Sequence, residues 1–217
     1  MKNYDLIVFD WDGTIMDSTG AIVAAIQASA VDLGLKMPDA SIASHVIGLG
    51  LRDALEMALP ELDPADYPKL ADRYRYHYLA RDGDLLLFDG IPELLEALKA
   101  RHYWLAVATG KSRAGLDRAL GATELGRLFD ASRCADETFS KPHPQMLIEL
   151  MDRFGAAPER TLMIGDTTHD SQMAKNAGAH ALSVTYGAHP HDHLLTVAPH
   201  GVVHTVPELS AWLATHG

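Results

Sequence analysis

The sequence predicts an α/β fold, a doubly wound parallel sheet with an all-helical module inserted near its start. Three observations predict it. Leu6, Ile7, Val8 and Phe9 form a short apolar run without polar alternation, the pattern of a strand buried on both faces. From Gly90 onward such runs alternate with helical patterns, which specifies parallel strands covered by helices. Between Met16 and Leu86 the helical period prevails and no convincing strand interrupts it.

Taken in order, Ser18 or Thr19 caps a helix with Ile22, Ile26, Ala30 and Leu33 at helical spacing, which ends at Gly34. Pro38 and Asp39 open a short helical piece, Gly48 to Gly50 interrupt it, and Leu51 to Leu59 resume it up to Pro60. A further helix is expected from about Asp66 to Arg81. Its tyrosines, Tyr74, Tyr76 and Tyr78, read as packing and surface residues rather than a binding platform. Pro92 marks a helix start with Leu94, Leu95 and Leu98 on its apolar stripe. Trp104 to Ala108 is a buried strand followed by a helix to Leu120, and Phe129 to Cys134 is a weaker strand. Pro144 begins a helix to Phe154. Thr161 to Ile164 and His180 to Val184 are strands on either side of a helix ending at Gly178, and Pro207 to Ala214 is a terminal helix. The expected division is a core of residues 1–15 and 87–217 and an inserted cap of residues 16–86. A module leaving from the end of the first strand is placed to act as a lid.

The chain has 217 residues, enough for a sizeable core. Its formal net charge of -11 gives no electrostatic footprint for nucleic acid or an anionic membrane. The single cysteine, Cys134, excludes an internal disulfide and a CxxC metal site, and reads as a small buried hydrophobe. No apolar run is long enough to span a bilayer and the start lacks a signal core, so a cytoplasmic location is expected. With no coiled coil or unused apolar stripe, a monomer is the default.

Chemistry concentrates where the buried strands end. Asp10 and Asp12 stand at i and i+2 where the first strand opens into Gly13 and Thr14, and two carboxylates held close oppose each other's ionisation. They need a cation, a proton or both, although Asp-x-Asp-Gly alone is equally well an ordinary surface turn. The second strand ends at Thr109 and Gly110. The strand from Thr161 ends in Gly165-Asp166-Thr167-Thr168-His169-Asp170, and Lys141 lies between them before Pro142 and a helix start. Four carboxylates, a hydroxyl, backbone donors and one ammonium suit a phosphate ester and Mg2+, which prefers carboxylate, water and phosphate oxygens. Singly, Thr109 could be a turn residue, Lys141 a solvated surface lysine, and Asp166 and Asp170 helix caps.

DWDGT at 10–14, VATGK at 107–111, SKPHP at 140–144 and GDTTHD at 165–170 together resemble the four ordered motifs of the haloacid dehalogenase superfamily. More narrowly the chain is similar to phosphoglycolate phosphatase-like phosphatases with a helical cap after the first motif, over essentially its whole length. That resemblance implies a Rossmann-like core and Mg2+-dependent hydrolysis of a small phosphorylated metabolite, phosphoglycolate-like or a sugar phosphate. It makes Asp10 the nucleophile that forms an aspartyl-phosphate and Asp12 the acid and base. The Asp10 and Asp166 side chains and the Asp12 backbone carbonyl would hold Mg2+, with Asp170 in support. Thr109, the Gly110 backbone and Lys141 would grip phosphoryl oxygens.

In the resembling enzymes a loop between early cap helices enters the site, and Gly48 to Arg52 occupy that place. Arg52 either binds a second anionic group of the substrate or faces water. A sugar-phosphate mutase of the same superfamily is the closest alternative, and a catalytically silent binding module would be expected to have lost Asp10 or Lys141. Dehalogenase and phosphonatase chemistry are disfavoured, the first by the carboxylates at Asp12 and Asp166, the second by the want of a cap lysine in the expected loop. Trp11 departs from the smaller aliphatic residue or Met usual between the carboxylates and is expected to alter packing there. His189, His191 and His193 flank Pro190 at a spacing that suits no helix face, and read as a polar loop.

Overall fold

The computed structural model describes residues 2–217. Strand β1 (Leu6–Phe9) and the short β2 (Met16–Asp17) precede four helices, α1 (Thr19–Asp32), α2 (Ala40–His45), α3 (Leu51–Ala58) and α4 (Tyr67–Leu79). The chain returns through β3 (Leu86–Leu87) and continues as α5 (Ile91–Ala100), β4 (Trp104–Thr109), α6 (Arg113–Thr123), β5 (Ala131–Cys134) and α7 (Gln145–Phe154). It ends with β6 (Thr161–Gly165), α8 (Thr168–Asn176), β7 (His180–Val184), α9 (His191–Leu195), β8 (Gly201–Val203) and α10 (Val206–His216).

The main sheet is parallel throughout, in the order β5-β4-β1-β6-β7-β8. Both of its faces are covered, which accounts for the unalternating strands. Ile7 and Phe9 pack with Leu95, Leu105 and Leu209 on one side, while Leu6 and Val8 pack with Met146, Leu150 and Met173 on the other. Strand β1 is central, so the chain crosses to β4 on one side and β6 on the other, the switch point at which a crevice opens beyond the strand ends. Register then sets which residues meet there. Phe9 is level with Val107 of β4 and Ile164 of β6, so Asp10, Thr109 and Asp166 emerge together at one edge.

Helices α1 to α4 enclose their own apolar cluster, with Ile22, Ile26, Leu55 and Leu70 at its centre. The expectation of no strand between Met16 and Leu86 needs correction, because Met16 and Asp17 pair antiparallel with Leu87 and Leu86 and tie the two chain crossings of the helical segment together. Two residues are too few to show a period. Strand β8 was likewise absent from the expected elements. Cys134 is buried as expected, and that burial pushes its thiol up to about 12, away from reactivity.

Candidate active site

Asp10 leaves β1 fully buried, its backbone N–H still donating to Ile164 O at 2.9 Å in continuation of the sheet. Lys141 comes in ahead of α7 and is buried too, so the reading of a solvated surface lysine fails. Its Nζ donates to Asp10 Oδ1 and to Asp170 Oδ1, each at 2.6 Å. Asp170 is also a helix cap. Its Oδ2 accepts from the Thr167 N–H at 3.1 Å and the Thr167 hydroxyl at 2.7 Å, closing a capping box at the start of α8, so capping and contact with the lysine coexist in one carboxylate. Asp166, buried beside them, accepts from Thr14 Oγ1 at 2.8 Å and from the Ala188 N–H at 2.7 Å.

Oxygens of Asp10, Asp166 and Asp170 lie within 4.8 Å of one another. These carboxylates face one ammonium, which leaves two negative charges unbalanced when all are ionised. The electrostatics reflect that excess. Burial, aided by the charges of Asp170 and Asp166, raises the pKa of Asp10 well above the carboxylate range despite the opposing pull of Lys141. Burial and the charge of Asp170 push Asp166 up to about 7. Lys141 would lose proton affinity through burial, but the charges of Asp10 and Asp170 outweigh this and raise it. The lysine thus keeps its proton and the surplus carboxylate charge resists ionisation.

Two further features bear on whether a divalent cation fits. Asp10 Oδ2 is buried with no hydrogen-bond partner, a costly arrangement for a carboxylate oxygen that no ligand takes up. Asp166 is also approached by bare backbone, since a Cβ on Gly13 or on Gly187 would fall 2.2 Å from its Oδ2. An all-oxygen donor set with two surplus negative charges fits a hard cation such as Mg2+.

Asp12 stands apart from this cluster. Its Oδ1 accepts from the Ser18 hydroxyl at 2.6 Å and lies 3.0 Å from Lys111 Nζ, while Oδ2 makes no hydrogen bond among the described residues. Trp11 between the carboxylates points away into the core, edge-on to Phe129 with ring centroids 6.4 Å apart. Thr109 is buried, and its hydroxyl accepts from the Lys111 N–H at 3.1 Å. Gly110 meets the loop between α2 and α3, for a Cβ there would lie 2.3 Å from Leu49 O and 2.7 Å from Gly48 O. The Gly50 N–H donates to Ser140 Oγ at 2.8 Å, so the loop expected to enter the site is pinned against it.

Above lies a cleft of about 740 Å3 whose walls include Asp12, Gly110 and Lys111 from the strand ends and Arg52, Tyr74 and Tyr78 from the inserted helices. Arg52 rims it with a side chain 82% exposed and bonded to Glu56 at 2.7 Å, one turn along α3. Tyr74 and Tyr78 pack in the helical cluster and Tyr76 is a surface residue, as expected, but the first two also line the cleft. Lys111 and Tyr78 are the site residues that sequence reasoning passed over. Lys111 was visible inside the second motif, whereas Tyr78 is brought to it only by tertiary packing.

The late histidines need correction as well. His191 and His193 belong to the short helix α9, and His189 lies in the loop before it as expected but is buried. His189 Nε2 and His169 Nε2 both reach the His45 carbonyl, at 3.0 and 2.8 Å, so two residues of the sheet domain hold the carbonyl end of α2. Burial lowers the pKa of both, of His189 to about 4.

The model of the family described as "Haloacid dehalogenase-like hydrolase" matches residues 7–184. A protein of Dickeya dadantii named "Probable phosphatase IndB" is 38% identical over 94% of this chain and 91% of its own length. The phosphoglycolate phosphatase of Agrobacterium fabrum is 31% identical over 84% of this chain and 81% of its own. Among solved structures, a haloacid dehalogenase-like family hydrolase from Streptococcus pneumoniae superimposes with a TM-score of 0.83 at 27% identity, covering 98% of this chain and 99% of that one.

Proposed function

The chain belongs to the haloacid dehalogenase-like hydrolase family, and from that premise we propose that it is a Mg2+-dependent phosphatase of small phosphorylated metabolites, acting through an aspartyl-phosphate on Asp10. The observation that carries the proposal is the division of labour in Asp10: Lys141 holds Oδ1, and Oδ2, buried and unpartnered, is left to react or to bind.

In this reading Asp10 attacks phosphorus, the Asp10–phosphorus bond forms as the bond to the leaving oxygen breaks, and Asp12 gives that oxygen its proton. Asp12 then takes a proton from water, which attacks phosphorus and frees Asp10 and phosphate. Ser18 and Lys111 fix Oδ1 of Asp12 and so aim Oδ2 at the leaving group. Thr109, the Gly110 backbone and Lys141 bind phosphoryl oxygens, and the docked loop at Gly48 to Gly50 excludes water. The Asp10 and Asp166 side chains with the Asp12 carbonyl would hold Mg2+, with Asp170 steadying Lys141. The cation supplies charge neutralisation for the clustered carboxylates and the phosphoryl oxygens. The substrate we propose is phosphoglycolate-like or a sugar phosphate, and the division into a core of residues 1–15 and 87–217 and a cap of residues 16–86 belongs to the same proposal.

The test is phosphate release from a panel of phosphorylated metabolites, with Mg2+ and without any sugar bisphosphate, by the native chain and by Asp10→Asn. Release that needs Mg2+ and disappears in the variant supports the reading. Turnover that survives in Asp10→Asn refutes the nucleophile, and turnover only with a bisphosphate activator favours a mutase.

A further inference from the structure

Besides fixing Asp12, Lys111 faces the cleft with donors to spare. Lys111 Nζ lies 3.0 Å from Asp12 Oδ1 and donates to Tyr78 Oη at 2.8 Å, with 10% of its side chain exposed. If Asp12 serves the leaving oxygen, this ammonium sits on the leaving-group side of the site, away from the phosphoryl side that Lys141 serves.

The hydrogen-bond inventory is incomplete in a specific way. An ammonium has three donors, and Lys111 uses one on Tyr78 while its charge pairs with Asp12. Tyr78 Oη accepts from Lys111, yet its own O–H finds no acceptor among the described residues. Donors on two adjacent side chains, one of them charged, are therefore left over along the same cleft. Both are held in place. The Lys111 N–H bonds Thr109 Oγ1 at 3.1 Å, its carbonyl accepts from Ala135 N–H at 3.1 Å, and the Tyr78 ring stacks on Tyr74 at 5.9 Å. The other cations of the cleft are satisfied at its rim, Arg52 by Glu56 at 2.7 Å, Arg75 by Asp72 at 2.8 Å and Arg118 by Asp82 at 2.5 Å.

We propose that Lys111 and Tyr78 form a subsite for an anionic group, a carboxylate or a second phosphate, on the leaving alcohol of the substrate. The inference rests on the phosphatase reading and narrows its substrate class. A leaving group with an anion a few bonds from the ester oxygen engages the spare donors of both side chains, whereas a neutral one buries them unpaired, which is how a polar site rejects an analogue. Because Tyr78 comes from α4 and Lys111 from the strand end, the same anion bridges the inserted helices and the sheet. Specificity then resides in this pair rather than in the exposed Arg52.

Three esters with a two-carbon leaving group test it: phosphoglycolate, the bisphosphate of ethylene glycol, and ethyl phosphate. The native chain is expected to prefer an anionic ester over ethyl phosphate by about 10- to 100-fold in kcat/KM, the range of one charge-assisted hydrogen bond. Lys111→Met slows all three esters through Asp12 and, beyond that shared loss, brings the ratio toward unity by raising KM for the anionic ester, and Lys111→Arg retains most of it. Tyr78→Phe, which keeps the ring and the packing, lowers the ratio by a smaller factor. Whether phosphoglycolate or the bisphosphate is preferred identifies the anion. Equal losses on all three esters in Lys111→Met would mean that the lysine only supports Asp12 and would overturn the subsite while leaving the phosphatase reading intact, as would a native enzyme indifferent to the anion. No phosphate release from any ester by the native chain would overturn the phosphatase reading and the subsite with it.

Discussion

Gly110→Ala tests how closely the inserted helices must seat on the sheet. The added methyl would lie 2.3 Å from Leu49 O, 2.7 Å from Gly48 O and 2.9 Å from Gly48 C, and these are backbone atoms that no rotamer change removes. Ordinary contact begins at 3.4 Å, so the loop must withdraw by about 1 Å, the difference between 3.4 and 2.3. That movement strains the 2.8 Å bond from the Gly50 N–H to Ser140, worth about 1 kcal/mol, and opens the wall of the site. Gly110 does not have a positive φ, so the backbone itself tolerates alanine and the melting temperature should change little. Activity should fall much further, by on the order of 100-fold in kcat, as expected for reacting groups displaced by about 1 Å. Steady-state phosphate release and thermal melting measure the two effects. Gly121→Ala, where a Cβ would meet nothing within 4 Å, is the control. Full activity in Gly110→Ala would refute the claim that the seated loop completes the site.

Two pH effects of opposite sign follow from the buried groups. Asp10 and Asp166 have raised folded pKa values, so the stability they contribute is present below the ordinary value of 3.8 and is lost as pH rises, for Asp166 through about 7. Mg2+ should therefore raise the melting temperature more at about pH 8 than at about pH 5, and equal shifts would count against these carboxylates as the cation site. His169 and His189 have lowered values, so their stability is present above the ordinary 6.5 and is lost as pH falls, for His189 toward about 4. His189→Asn should melt lower at neutral pH, having lost the bonds to Thr168 and His45, and should decline less steeply on acidification. An unchanged slope would show that this histidine does not set it.

Elements with a long or strongly apolar signal were legible before the structure, and so were the carboxylates at their ends. Leu6–Phe9, Leu105 to Thr109 and Thr161–Gly165 are buried on both faces, and their apolar runs say so directly, whereas Trp104, expected to be buried at the start of β4, is exposed. What escaped notice depends on contacts between distant residues. Met16–Asp17 and Leu86–Leu87 become strands only because the ends of the inserted segment meet, and Gly201–Val203 gains its definition from pairing with β7. His189 was read from the spacing of its neighbours, yet its place is set by Thr168 and His45. Lys111 and Tyr78 are 33 residues apart, and no local pattern announces that an ammonium of one will meet the hydroxyl of the other. Arg52, by contrast, was legible as a cation near the site, and its pairing with Glu56 at an i,i+4 spacing is the local interaction a helix surface favours.

The most direct test of the account is to look for the phosphoryl group on Asp10. The native protein would be mixed with Mg2+ and its best ester, quenched in acid during turnover, digested and examined by mass spectrometry. The account predicts one phosphoryl group on the peptide that contains Asp10, lost on treatment with hydroxylamine and absent from Asp10→Asn. Steady turnover in which no phosphoryl-peptide accumulates, with a single inversion of configuration at a chiral phosphate, would mean direct attack by water and would contradict it.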